Sequence, residues 1–324
     1  MPNGGPGRAM LKPRRRGRLQ NLDFLAIGEA MAELRREESG EYRVGFAGDT
    51  FNTAVYCARI LGARGRVGYL TRIGADPLSQ SFLDMAHGEH VETAGTTVDD
   101  THNLGIYAVA TDAKGERSFS YWRENSAARH LFSDESGIVD LPPARIIYLS
   151  AITLAILPPI ARQRLVDRLS AFAKSGAGVL AFDSNYRPRL WGDATSAREW
   201  IGRLWEIADI ALPSIDDEMA LFGDASEAEV VARFNRRRWT ACAIKRGARG
   251  PVSPTLAAGR HPAFPRAPRV VDTTAAGDSF NAGYLCAWLA GKSEPECLLA
   301  GHELAARVVG HRGAIVPMRD WHKA

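Results

Sequence analysis

Residues 270–285 read VVDTTAAGDSFNAGYL, and the rest of the chain is best understood outward from them. Two β-branched residues run into small ones and then into an apolar helical pattern, which predicts a strand, a tight turn and a helix. Ala275, Ala276 and Gly277 build the turn, so no bulky side chain keeps a ligand from the backbone N–H groups at the helix start. Those unpaired donors and the positive end of the helix dipole form a site for an anion. Asp278 follows at once, and a carboxylate beside an anion site is unfavourable unless it has a proton to accept. The pairing points to phosphoryl transfer to an alcohol, with Asp278 as the base. An isolated G-D-S would instead be read as an ordinary helix cap.

Composition narrows the setting. A chain of 324 residues, 45% hydrophobic and 24% charged, has the make-up of a soluble globular protein with a substantial core. The net charge of +4 hints at nucleic acid until it is located along the chain. Residues 1–20 hold six Lys or Arg and no acid, which leaves 35 basic against 37 acidic residues in the remainder. The basicity belongs to a Gly-, Pro- and Arg-rich tail, expected to be disordered, and nucleic-acid binding is not the expected role. No stretch has the apolar core of a secretory signal or the length of a membrane span, because the longest apolar run, 146–160, is broken by Ser150, Thr153, Pro158 and Pro159. Cys57, Cys242, Cys286 and Cys297 show no C-x-x-C spacing and read as buried thiols of a cytoplasmic protein.

Apolar periodicity predicts strands at Leu22 to Gly28 and Val67 to Ile73, and helices from Asp49 or Thr50 to Leu61 and from Pro77 to His87. Residues 104–110 and 117–122 read as a hairpin, and 29–46 as a small β element outside the main sheet. From Arg145 strands and helices alternate: strand 145–150, helix 158–174, strand 179–183, helix 195–208, strand 210–212, helix 216–222 and strand 241–245. Such alternation predicts an α/β fold, a mostly parallel sheet with helices on both faces, and ligands at the carboxyl ends of its strands. Asp183, Ser214, Lys245 and Asp278 all fall at or after such ends. Three other motifs fail on context. Gly291-Lys292-Ser293 lacks the first P-loop glycine, where Cys286 stands; the G-x-G-x-x-A of 176–181 leads into a strand; and His302-Glu303 has Ala306 where a zinc site needs histidine.

The string DTTAAGDSF resembles the signature of the ribokinase-like (PfkB) carbohydrate kinases. The resemblance implies a ribokinase-like fold with Asp278 as catalytic base and the amides of Ala275, Ala276 and Gly277 around the transferring phosphate. It also implies that residues 29–46 and 104–123 form a β lid over the sugar, within one kinase domain spanning 21–324. Residues 45–52, GFAGDTFN, resemble the family's G-G-x-x-x-N segment and put Gly48, Asp49 and Asn52 on sugar hydroxyls, although Ala47 replaces the first glycine. FDSNYRPRLW (182–191), LSAITLAIL (149–157), YWR (121–123) and HRGAIVP (311–317) resemble the branch that acts on 2-keto-3-deoxy sugar acids. That likeness implies ATP-dependent phosphorylation of the C6 hydroxyl of 2-dehydro-3-deoxy-D-gluconate, in the Entner–Doudoroff route, with Tyr107, Tyr121, Arg123, Ile152 and Arg187 at the sugar acid.

On the nucleotide side the resemblance places Ser214, Lys245, Arg246, Gly247 and Gly250 at ATP. Where the family has N-x-x-E this chain has S-I-D-D-E (214–218), so Asp217 or Glu218 is expected to serve Mg²⁺ through water, the choice being open. A homo-oligomer is the expected assembly. Two rivals carry different expectations. A kinase for a neutral sugar such as fructose or ribose, or for a nucleoside, has no need of arginines around its substrate, and a catalytically silent sugar-acid sensor has no need of Asp278.

Overall fold

A strand covered on both sides must be apolar at nearly every position, because alternate side chains point to opposite faces. That pattern governs the main sheet of the structure, a computed structural model that describes residues 21–37, 39–111, 117–133, 141–257 and 259–321. The basic tail falls outside these residues. In β1 (Leu22–Ile27), Leu25 and Ile27 face one core while Phe24 and Ala26 face another. The same split divides Ile147 and Leu149 from Ile146 and Tyr148 in β10 (Ala144–Ser150), and Leu180 and Phe182 from Ala181 in β11 (Val179–Asp183).

These strands join β4 (Val67–Leu70), β6 (Val91–Glu92), β12 (Ile210–Ala211) and β13 (Ala241–Cys242) in one seven-stranded sheet of order β13-β12-β11-β10-β1-β4-β6. Every pairing in it is parallel. Parallel neighbours require crossovers, and helices fill them. α3 (Ala151–Ile156), α4 (Pro159–Ser175), α5 (Ala194–Ile207), α6 (Ile215–Phe222) and α7 (Glu227–Asn235) cover the first face, contributing Leu154, Leu165, Ile201, Leu221 and Val230 to its core. α1 (Asp49–Leu61), α2 (Pro77–Gly88), α8 (Ala276–Leu289) and α9 (Glu294–Val308) cover the second, with Phe51, Phe82, Leu285 and Leu298 inside; α10 (Met318–Trp321) closes the described chain.

A second sheet stands beside the first. It pairs β3 (Tyr42–Ala47), β2 (Met31–Arg36), β8 (Gly105–Thr111) and β9 (Arg117–Trp122) in that order, with β2 and β8 parallel and the outer pairs antiparallel. A two-stranded ladder joins β5 (Arg72–Gly74) to β7 (Thr97–Asp99).

Three local expectations are corrected. Residues 270–272 form no strand: Val270 and Val271 are 63% and 41% exposed, and the amides of Val271 and Asp272 both donate to Val309 O, so this segment is tied to the end of α9 and not to a sheet edge. The strand expected over 67–73 breaks at Thr71, its two parts entering different sheets. That expected over 241–245 ends at Cys242, leaving isolated bridges from Ile244 to Val252 and from Lys245 to Ser214.

Candidate active site

The starts of α1 and α8 meet across the carboxyl ends of the main sheet. Gly48 precedes α1, and a Cβ there would lie 2.2 Å from Glu29 O, so only glycine lets this turn pack against the segment that follows β1. Asp49 and Asn52 then share the first turn of α1. Asp49 accepts from the Ser150 hydroxyl and, at 2.7 Å, from Asn185 Nδ2. Asn52 Nδ2 donates to Asp278 Oδ2 at 2.8 Å, and Thr53 Oγ1 donates to Asp278 O at 3.2 Å, so α1 holds the first turn of α8 in place.

The turn before α8 is strained where the ligand is expected. Ala275 takes φ 59°, the left-handed region that non-glycine residues seldom adopt. The amides at the start of α8 lack intrahelical partners by geometry, and that of Ala276 closes the turn by donating to Thr273 O at 3.2 Å. Above Gly277 there is open space, since a Cβ built there meets only Lys245 Nζ, at 3.8 Å. Burial, with the charge of nearby Asp49, pushes the Asp278 carboxyl up to about 8; Asn52 and Lys245 act the other way. A carboxyl so placed takes a proton readily near neutrality, which suits general-base work. The helix dipole alone would have lowered it.

Lys245 is the cation among these acids. Its Nζ donates to Asp183 Oδ2 at 2.5 Å and to Asn281 Oδ1 at 3.2 Å, while Asn281 Nδ2 binds Asp183 Oδ2 at 2.6 Å and Tyr148 OH at 3.0 Å. Asp183 ends β11 and Asn281 lies one turn beyond Asp278 on α8, so sheet and helix are cross-linked beneath the anion turn. Ser214 caps α6, and its bridge to Lys245 brings the ends of β12 and β13 together. Beyond Lys245, Arg246 Nε donates to Gly250 O at 3.0 Å, closing a short loop. Gly247 and Gly250 have φ 57° and 78°, and a Cβ on Gly250 would strike the Phe264 ring at 2.2 Å. Arg246 and Arg249 both pair with Glu227.

The inner face of the second sheet looks onto this site through Tyr107, which packs with Met31, Ala47, Ala314 and Ala275. The Tyr107 hydroxyl donates to Glu33, and its ring stacks on Tyr121 with centroids 6.0 Å apart. Tyr121 is 44% exposed, whereas Arg123 is buried and paired with Glu29. Arg187 has about half its side chain exposed; its Nη1 lies 3.6 Å from Asp217 Oδ1 and donates to Tyr186 O at 2.9 Å. The two arginines are thus held by different carboxylates. Ile152 sits in the first turn of α3, its amide donating to Ser150 Oγ at 3.2 Å.

Asp217 and Glu218 differ sharply. Glu218 is fully buried and its Oε2 accepts from Arg233 Nη1 at 2.9 Å; burial pushes its carboxyl up to about 7, against the pull of Arg233. Asp217 is partly exposed, accepts from the Tyr186 amide at 3.2 Å, and is raised by burial despite Arg187. Among the described residues no group of three or more His, Cys, Asp or Glu could hold a metal ion.

Several groups in this network were not singled out from the sequence. Asn281 was within reach, being three residues from Asp278 on one helix face. Asn185, held at φ 23° with its amide bonded to Asp183 Oδ1 at 3.0 Å, gives no sequence signal beyond its place in the 182–191 string. Glu29 and Glu33 are single acids in a β pattern, which reads as ordinary alternation until tertiary structure buries them.

The comparisons with known proteins agree with this geometry. The model of the pfkB family carbohydrate kinases matches residues 21–321. The chain is 40% identical over 299 residues to the 2-dehydro-3-deoxygluconokinase of Escherichia coli, covering 90% of this chain and 96% of that protein. It is 39% identical over 303 residues to the enzyme of the same name from Dickeya dadantii, covering 90% and 96%. Among solved structures, a PfkB protein from Polaromonas sp. is similar with a TM-score of 0.77 at 25% identity, covering 94% of this chain and 99% of that one. The α/β architecture and these relatives agree, and the chain belongs to the pfkB family of carbohydrate kinases.

Proposed function

We propose that this chain transfers the γ-phosphoryl group of ATP to the C6 hydroxyl of 2-dehydro-3-deoxy-D-gluconate, giving the 6-phosphate and ADP. The observation that carries the reading is Asp278, a carboxyl raised to about 8 at the start of α8 and aimed by Asn52. The relatives named 2-dehydro-3-deoxygluconokinase at 39–40% identity support the substrate. In the step, Asp278 takes the hydroxyl proton as the oxygen bonds to the γ-phosphorus; the bond from that phosphorus to the β–γ bridging oxygen breaks and ADP leaves. The amides of Ala275, Ala276 and Gly277 meet the equatorial oxygens, where negative charge is concentrated.

On the acceptor side, Asp49 and Asn52 orient the sugar hydroxyls beside Gly48, the Tyr107 and Tyr121 rings form the wall, Ile152 lines the far side, and Arg123 and Arg187 meet the carboxylate. The second sheet acts as the lid. On the donor side, Lys245 and Ser214 stand at the phosphates, and the Arg246-to-Gly250 loop, with its two left-handed glycines, lies along the nucleotide. Mg²⁺ suits a site with few carboxylates, since it keeps most of its waters and takes phosphate oxygens. Asp217 would hold those waters, because Glu218 is already spent on Arg233; the ion would supply positive charge to the phosphates. A homo-oligomer remains part of the proposal, supported by Tyr42, Val44 and Trp122, which stay 55%, 49% and 58% exposed on the second sheet. No helix among the described residues is long and apolar enough to cross a membrane.

The test is ADP release with 2-dehydro-3-deoxy-D-gluconate, followed by location of the phosphate by coupled carbon and phosphorus NMR. Phosphorus coupling at C6 is expected. No ADP release, or phosphate on another oxygen, would refute the reaction.

A further inference from the structure

Glu29 lies two residues beyond the end of β1 and is 2% exposed. Its carboxylate has two hydrogen-bond partners and a glycine close by. Arg123 Nη2 donates to Oε2, Ser126 Oγ donates to Oε1 at 2.5 Å, and a Cβ on Gly105 would come within 2.8 Å of Oε1. Arg123 is itself only 7% exposed, yet its Nε has no hydrogen-bond partner among the described residues. A buried donor left unpaired is costly, and a buried ion pair rarely stabilises a fold more than apolar side chains of the same size. The arrangement makes poor sense as a staple. It makes better sense as a guanidinium whose orientation Glu29 sets through Nη2.

The surroundings place it at the acceptor end of the site. Arg123 follows Trp122 at the end of β9, two residues beyond the Tyr121 ring that stacks on Tyr107. Tyr69, whose hydroxyl meets Thr50 Oγ1 at 3.2 Å in the first turn of α1, lies within the electrostatic reach of Glu29, Arg123 and Asp49 together. We propose that Glu29 is the positioning residue for Arg123, orienting its guanidinium in advance for the carboxylate of the sugar acid. This rests on the substrate reading above. A guanidinium held in advance loses little freedom when a carboxylate arrives, and the charge-assisted bond it makes sets acid apart from neutral sugar.

The test compares wild type, Glu29→Gln and the double variant Glu29→Leu/Arg123→Met by steady-state kinetics and thermal melting. Glu29→Gln is expected to raise KM for the sugar acid roughly tenfold or more, with a smaller change in kcat and KM for ATP within about twofold. A purely structural role would lower the melting temperature and leave that split absent. The apolar double variant should melt no lower than Glu29→Gln while losing about a hundredfold in kcat/KM for the acid. If Glu29→Gln does not fold, Glu29→Asp, which keeps the charge but shortens its reach to Arg123, takes its place, and an unchanged KM for the acid in it overturns the role of Glu29. A double variant with wild-type KM for the acid overturns the proposal. Wild-type enzyme indifferent to the carboxylate removes the substrate reading, and the role of Glu29 with it. Wild type that prefers the acid, with unchanged KM in Glu29→Gln, leaves that reading standing and overturns Glu29 alone.

Discussion

Replacing Asp278 with Asn tests the chemistry at its centre. The amide keeps the size of the carboxyl, and its oxygen can still accept from Asn52 Nδ2, so the 2.8 Å contact between α1 and α8 should survive. What disappears is the base, a loss of roughly 10²–10⁴ in kcat. The pH dependence sharpens the test. A carboxyl raised to about 8 is about one-tenth ionised at pH 7 and about nine-tenths ionised at pH 9, so wild-type kcat/KM should climb about tenfold across that range. The variant's profile should be flat over this limb. Stability should move the other way. A carboxyl whose folded value is raised costs nothing below its unfolded value of about 3.9 and progressively more up to about 8, so Asp278→Asn should melt as wild type does near pH 4 and higher near pH 8. Coupled ADP-release kinetics and calorimetry at several pH values read both effects. Near-normal turnover, or the same acidic limb in the variant, would refute the assignment of the base.

Asp49→Asn removes the largest charge acting on Asp278 after burial itself, so the acidic limb of kcat/KM should shift to lower pH even as activity falls; an unmoved limb would show that the two carboxyls do not interact. Arg187→Lys should lower kcat/KM for the sugar acid roughly tenfold to a hundredfold with ATP affinity spared, since lysine cannot reproduce a forked contact; equal losses for both substrates would count against a carboxylate contact. Asp217→Asn should raise the Mg²⁺ concentration needed for half-maximal rate, while Glu218→Gln, which breaks a buried pair with Arg233, should cost about 1–3 kcal/mol in denaturant melts and leave that Mg²⁺ titration in place. Deleting residues 1–20 should leave turnover nearly unchanged, because those residues lack the apolar side chains of a core; a large loss in the truncated enzyme would tie the tail to the site.

Much of this site could be read from residue order because its chemistry is local. Asp278 and the small residues before it are contiguous, Asp49 and Asn52 share one helical turn, and α/β alternation predicts that strand ends gather ligands. The parts that could not be read depend on contacts between distant segments. Nothing in the order of residues says that Glu29 meets Arg123 across 94 positions, or that Glu218 turns inward to Arg233 while Asp217 meets Arg187 and the Tyr186 amide. The strand expected at 270–271 failed for a related reason. Valine pairs favour strands, but a strand needs a neighbour, and here the backbone is bound to the end of α9.

The carboxylate specificity is the claim on which the substrate stands. Wild-type enzyme given limiting ATP and an equimolar mixture of 2-dehydro-3-deoxy-D-gluconate, fructose and ribose reports it directly, the products being separated and quantified. One unmatched charge-assisted contact already favours the acid by roughly tenfold to a hundredfold, so nearly all of the phosphate should appear on the sugar acid. Comparable yields of fructose or ribose phosphate would contradict that specificity and make this chain a neutral-sugar kinase.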